Sequence, residues 1–147
     1  MPRSISDDRG KTWQVSASPL RPLSGGQRMA LMRLKEGPLF LASFADKMTI
    51  TDASGNKREV SGLFGALSFD EGRSWPIRRL ITDDGLGKKL DGGAWTGEFI
   101  MDQSRAEPKG YLSVCQGTDG VINLISSALH YQFNLTWLTS PMPPLEP

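Results

Sequence analysis

The sequence predicts an all-β chain, and three observations carry that expectation. Gly (16) and Pro (10) are abundant in the 147 residues without reaching low-complexity levels. Turn-forming clusters recur along the chain: Ser24-Gly25-Gly26, Glu36-Gly37-Pro38, Ser54-Gly55-Asn56, Asp70-Glu71-Gly72, Asp84-Gly85, Asp91-Gly92-Gly93, Pro108-Lys109-Gly110 and Thr118-Asp119-Gly120. Between them lie short runs of strand-type composition, and no window sustains a helical period with caps, so helix is expected only as a turn or two.

Taken in order, Met29 to Leu34 (MALMRL) and Leu39 to Phe44 (LFLASF) read as a hairpin across Lys35-Glu36-Gly37-Pro38. Tyr111 to Gln116 (YLSVCQ) and Val121 to Ser126 (VINLIS) read as another across Gly117-Thr118-Asp119-Gly120. With 38% hydrophobic residues the chain can build one real core. Its 17 Lys+Arg stand against 16 Asp+Glu, a balance that argues against nucleic-acid partners and against binding to a charged membrane surface. No apolar run approaches the about 20 residues of a membrane span, and the opening MPRSISDDRG holds no apolar stretch, so no signal peptide is expected. One cysteine, Cys115, and one histidine, His130, exclude an internal disulfide and leave too few ligands for a structural zinc. No metal and no cofactor are expected.

Trp13, Trp75 and Trp137 are spaced 62 residues apart in both intervals, which signals a repeat (14–75 and 76–137). The first two close the same signature, S-x-D-x-G-x-(S/T)-W: Ser6, Asp8, Gly10, Thr12, Trp13, then Ser68, Asp70, Gly72, Ser74, Trp75. Each position has a folding task in a tight hairpin. The Asp accepts turn N–H groups, the Gly supplies a positive φ, the hydroxyl ties the turn and the Trp packs beneath it. Ser127 to Trp137 (SALHYQFNLTW) keeps the tryptophan but has lost the Asp and Gly, and reads as a degenerate copy.

The two intact signatures resemble Asp boxes, the BNR repeats of sialidases and related β-propellers, where they join the outer strands of a blade. A second similarity runs through Gly110 to Ser127. Tyr111, Asp119-Gly120, Ile122 and Leu124 match the offsets of the sialidase pattern that begins with the tyrosine nucleophile. The stretch His130 to Leu138 (HYQFNLTWL) is similar to the closing segment of bacterial sialidase-like BNR proteins. The resemblance covers most of residues 4 to 140. It implies a partial β-propeller of about two to three four-stranded antiparallel blades over residues 1–140, followed by a Pro-rich tail, 141–147. It also implies the C-terminal segment of an exo-glycosidase lineage acting on terminal sialic acid or a related glycoside. Full-length relatives are then expected to be secreted or periplasmic.

The chain departs from that family where chemistry is concerned. The FRIP motif with its arginine is absent, and Ser127 stands where the pattern ends in Glu. A tyrosine with its ordinary pKa near 10 needs a carboxylate base to act as a nucleophile. Tyr111 therefore reads as the nucleophile by resemblance or as a packed aromatic by composition. Glu98 and Asp102 are the candidate carboxylates, and Arg105 is able to hold a substrate carboxylate; the rival reading for all three is solvated loop. Trp95, in a glycine-rich loop, either stacks on a sugar or packs over its own loop. His130 reads as a hairpin residue bonded within its loop, with a general-base role as the alternative. Cys115 reads as a small buried hydrophobe, Asn134-Leu135-Thr136 as the start of the Trp137 strand rather than a glycosylation site, and Lys88-Lys89 and Arg78-Arg79 as solvated pairs. Because an interrupted propeller exposes its blade faces, self-association to complete the ring is expected. The rival function is a non-catalytic module binding carbohydrate or protein.

Overall fold

The computed structural model describes residues 1–23 and 28–145; the turn expected at Ser24-Gly25-Gly26 lies outside the described residues. Strands β1 (Pro2–Ile5) and β2 (Gln14–Ala17) form a separate hairpin. Strands β3 (Ala30–Arg33), β4 (Leu39–Thr51), β5 (Lys57–Ser68) and β6 (Ile77–Leu80) form a four-stranded antiparallel meander in sequence order. Strands β7 (Lys88–Asp91) and β8 (Glu98–Met101) pair across a one-turn helix, α1 (Gly93–Thr96). Strands β9 (Ser113–Gln116), β10 (Ile122–Ile125) and β11 (His130–Phe133) make a three-stranded sheet, followed by α2 (Leu135–Thr139). The all-β expectation and both predicted hairpins hold. Among the described residues the sheets stay separate, and none closes on itself.

The run Phe40 to Ser43 is buried on both faces of the meander, which explains why β4 opens with a continuous apolar run before it begins to alternate. Phe40, Leu41, Leu63, Leu67 and Leu80 form the centre of the core, and Ile122, Leu124 and Leu138 extend it to the second sheet. Rings join the two: Phe40 lies 5.8 Å from Phe133, which lies 5.3 Å from Trp137. The chain from Ser104 to Glu107 then runs along β5, with Ser61 donating to Ser104 O, Ala106 to Ser61 O and Leu63 to Glu107 O. It docks opposite a register shift between Ala45 and Met48, where Gly62 sits with φ 103°.

Both S-x-D-x-G-x-(S/T)-W segments are hairpin turns with the same closure, between β1 and β2 and between β5 and β6. Asp8 accepts from Thr12 N (2.9 Å), Thr12 Oγ1 (2.6 Å) and Ser6 Oγ (2.8 Å). Asp70 accepts from Ser74 N (2.8 Å), Ser74 Oγ (2.7 Å) and Ser68 Oγ (2.8 Å). The serine hydroxyls accept in turn from Gly10 N and Gly72 N, and both glycines have positive φ. These donors stabilise the ionised carboxylates, with Thr12 the main cause at Asp8 and Ser74 at Asp70, and hold both at about 2. A carboxyl lowered on folding contributes stability above its unfolded value that is lost as pH falls through its folded one. Asp70→Ala is therefore expected to lower the thermal midpoint at neutral pH and to remove part of the loss between pH 4 and pH 2. Melting curves by circular dichroism across that range check it, and an unchanged acid limb would reject the turn assignment. Asp8→Ala should matter less to global unfolding, because every residue of β2 is exposed whereas β5 is an inner strand buried over most of its length.

The tryptophans differ in their surroundings. Trp75 is 8% exposed, but Trp13 is 59% exposed and donates its Nε1–H to Gly10 O, so only the second packs as expected. Trp137 ends no hairpin: it lies on α2, whose first turn is capped by Asn134 accepting from Trp137 N, which corrects the strand expected from Asn134 onward. Cys115 is exposed rather than buried, because only alternate residues of the short β9 face the core. Arg79 is likewise not solvated. It is 4% exposed, paired with Asp84 at 2.9 Å, and its guanidinium lies 4.0 Å from the Trp137 ring centroid.

Candidate functional site

Trp95 and Tyr111, 16 residues apart, meet on one surface. Asp91 Oδ1 accepts from Gly93 N and starts α1, which carries Trp95, and Thr96 Oγ1 donates to Lys109 O and so ties that helix to the segment ahead of Tyr111. Tyr111 N donates to Ser127 Oγ, and Arg28 N donates to Gly110 O. The rings stack with centroids 5.8 Å apart and planes at 25°. The Lys109 ammonium lies 5.2 Å from the Trp95 centroid, and the Arg28 guanidinium 5.6 Å from that of Tyr111. Both rings remain exposed, at 43% and 45%. The result is an aromatic pair flanked by two cations, able to meet a sugar and to favour an acidic one.

The other expected site residues are not brought to this pair. Glu98 on β8 forms a surface ion pair with Lys89 on β7 at 2.7 Å. Asp102 closes a local turn, with Oδ1 accepting from Ser104 N and Arg105 N and Oδ2 held by Arg105 Nε. Partial burial pushes the Asp102 carboxyl up, but the Arg105 guanidinium and the backbone donors outweigh it and hold the group below its ordinary range. Arg105 is thus engaged by a carboxylate of its own loop. No carboxylate among the described residues hydrogen-bonds the Tyr111 hydroxyl. His130 Nε2 and Gln132 Nε2 both lie 3.0 Å from Asn123 Oδ1, a surface polar cluster within one sheet.

A carboxylate–tyrosine pair does exist, at residues that no sequence motif singled out. Glu107 is fully buried, and its carboxylate accepts from Ser126 Oγ (2.7 Å) and Tyr131 Oη (2.9 Å). Burial pushes the Glu107 carboxyl up against the pull of those two hydroxyls. Burial, with the Glu107 charge second, drives the Tyr131 phenol far above the tyrosine range. A phenol held this firmly in its protonated form is a hydrogen-bond donor, not a nucleophile. The pair instead anchors the segment leading to Tyr111 onto β10 and β11. The only sequence signal for it was that Tyr131 lies in the stretch His130 to Leu138 that is similar to the closing segment of BNR proteins.

Among the described residues, no three or more His, Cys, Asp or Glu side chains gather as a metal site. No family model, curated protein or solved structure matches the chain.

Proposed function

We propose that this chain is the C-terminal segment of a sialidase-like, carbohydrate-active β-propeller that binds an acidic sugar at Trp95 and Tyr111 and does not hydrolyse it alone. The observation that carries this reading is the exposed Trp95–Tyr111 stack with Lys109 and Arg28 beside it. The lineage is supported by the two identically closed Asp-box turns, one of which joins the third and fourth strands of a four-stranded meander, as in a propeller blade. In this reading β3 to β6 are one blade, and copies of the chain associate to cover the faces left by the missing blades. Fold alone does not supply activity. The lack of a carboxylate partner for the Tyr111 hydroxyl favours binding without turnover, which is also what a non-catalytic carbohydrate module predicts.

Titration calorimetry with a soluble sialoside tests binding. Trp95→Ala is expected to weaken it about tenfold, equivalent to about 1.4 kcal/mol. Hydrolysis of a fluorogenic sialoside by the wild-type chain should not exceed that of Tyr111→Phe. Turnover abolished by that substitution would overturn the non-catalytic reading, and binding indifferent to Trp95 would overturn the site.

A further inference from the structure

A cleft of about 420 Å³ lies between one face of the meander and the segment 19–23. Pairing register sets what the sheet contributes to it. Leu41 of β4 lies opposite Ala66 of β5, which lies opposite Arg78 of β6, and Ser43 of β4 lies opposite Phe64 of β5. Side chains directly opposite share a face, so Leu41, Ser43, Phe64 and Arg78 project to one side of the sheet, and all four line the cleft. The bulge at Asp46 and Lys47 adds one residue to β4, which returns Met48 to that same face opposite Val60. From the other side the cleft is bounded by Leu20, which is buried, and by Arg21, which is exposed.

The floor is apolar and one hydroxyl interrupts it. Leu41, Met48 and Phe64 are buried, and Ser43 beside them is 2% exposed. Its Oγ has no hydrogen-bond partner among the described residues, yet it is not one of the atoms sealed from solvent. A buried hydroxyl is normally paired, so this one, on the lining of a cleft, calls for a polar ligand atom. The rim is cationic. Neither the Arg21 nor the Arg78 guanidinium takes part in an ion pair or hydrogen bond among the described residues, whereas Lys47 is held by Glu59 at 2.5 Å. Asp46 is the one carboxylate on the lining, so unpaired positive charge exceeds negative there.

Guanidiniums fork onto a carboxylate, an apolar floor takes a short hydrocarbon body, and the lone hydroxyl takes a polar atom carried on that body. We propose that this cleft binds a short-chain hydroxycarboxylate, with its carboxylate on Arg21 and Arg78, its hydrocarbon body over Leu41, Met48 and Phe64, and its hydroxyl on Ser43 Oγ. A bare inorganic anion would leave the floor uncovered, and a neutral alcohol would leave the guanidiniums unused. The site shares no residue with the aromatic pair and does not depend on sialoside binding.

The experiment titrates the wild-type chain by calorimetry with ω-hydroxyhexanoate, hexanoate, hexanol and acetate, and records the thermal midpoint with and without each probe. Expected are saturable binding of ω-hydroxyhexanoate with a raised midpoint, and no saturation with hexanol or acetate. Hexanoate should bind about fivefold more weakly than ω-hydroxyhexanoate for want of one hydrogen bond. Ser43→Ala removes only an unpaired hydroxyl and should bring the two carboxylates level. Arg78→Gln alters an exposed side chain and should weaken both about tenfold through loss of a charge-assisted bond. The probe-free midpoints check that both variants fold. Failure of ω-hydroxyhexanoate to saturate the wild type overturns the proposal whatever the variants do. Hexanol binding as tightly as hexanoate, or Arg78→Gln binding as wild type, overturns the role of the guanidiniums. Acetate binding as tightly as hexanoate overturns that of the apolar floor, and a hydroxyl preference retained in Ser43→Ala overturns that of Ser43.

Discussion

Replacing Gly62 by alanine is expected to destabilise the protein by about 3 to 5 kcal/mol, through backbone strain and a steric clash that add. Gly62 has φ 103°, a conformation L side chains rarely adopt, and a Cβ there would lie 2.5 Å from Ala106 O and 2.9 Å from Glu107 O. Neither oxygen is free to retreat, because the same stretch is tied to β5 by Ala106 N to Ser61 O and Leu63 N to Glu107 O. Accommodating the methyl group means undocking the segment that leads to Tyr111. Gly55→Ala is the control: its φ is 83°, but nothing lies within 4 Å of the added carbon, so only the torsional cost of about 1 to 2 kcal/mol applies. Urea unfolding of the two variants separates strain from clash. Equal midpoints would show that the close approach at Gly62 carries no cost.

Glu107→Ala is expected to cost about 2 to 4 kcal/mol by leaving the Ser126 and Tyr131 hydroxyls without an acceptor in a buried place. Glu107→Gln should cost less, since an amide oxygen still accepts, and it gives the cleaner test through pH. Burial raises the Glu107 carboxyl on folding, so the folded chain binds its proton more readily than the unfolded chain. Its contribution is therefore fully present below the ordinary glutamate value of 4.5 and is lost as pH rises through the raised folded value. Asp8 and Asp70 act in the opposite sense, losing stability as pH falls from 3.8 toward about 2. The wild type should thus lose stability as pH rises above 4.5 by an amount that Glu107→Gln lacks. Denaturant melts at a series of pH values measure the difference, and parallel curves for the two proteins would show that the carboxyl is not perturbed.

Elements whose cause is local are legible in the amino-acid sequence. The hairpins 29–44 and 111–126 and both box turns depend on residues a few positions apart, such as Asp70 with Ser68, Gly72 and Ser74, and short-range turn chemistry is written in consecutive letters. The same logic misled at Trp137. Its spacing matched a repeat, but without the Asp and Gly nothing closes a turn, and Asn134 caps a helix instead. Of the candidate site, residue identity gave Trp95 and Tyr111 but could not show that they stack, since α1 and the segment ahead of β9 meet only in the folded chain, where Ser104 to Glu107 dock on β5.

From its letters alone the chain determined an all-β class, the positions of its tightest turns and the aromatic residues it presents. Tertiary structure decided which charges are buried: Glu107 against Tyr131 across 24 residues, Arg79 under Ser140 across 61, and Arg58 under Pro143 across 85. The physical reason is that a turn is stabilised within its own few residues, whereas the cost of burying a charge depends on partners that only folding brings together.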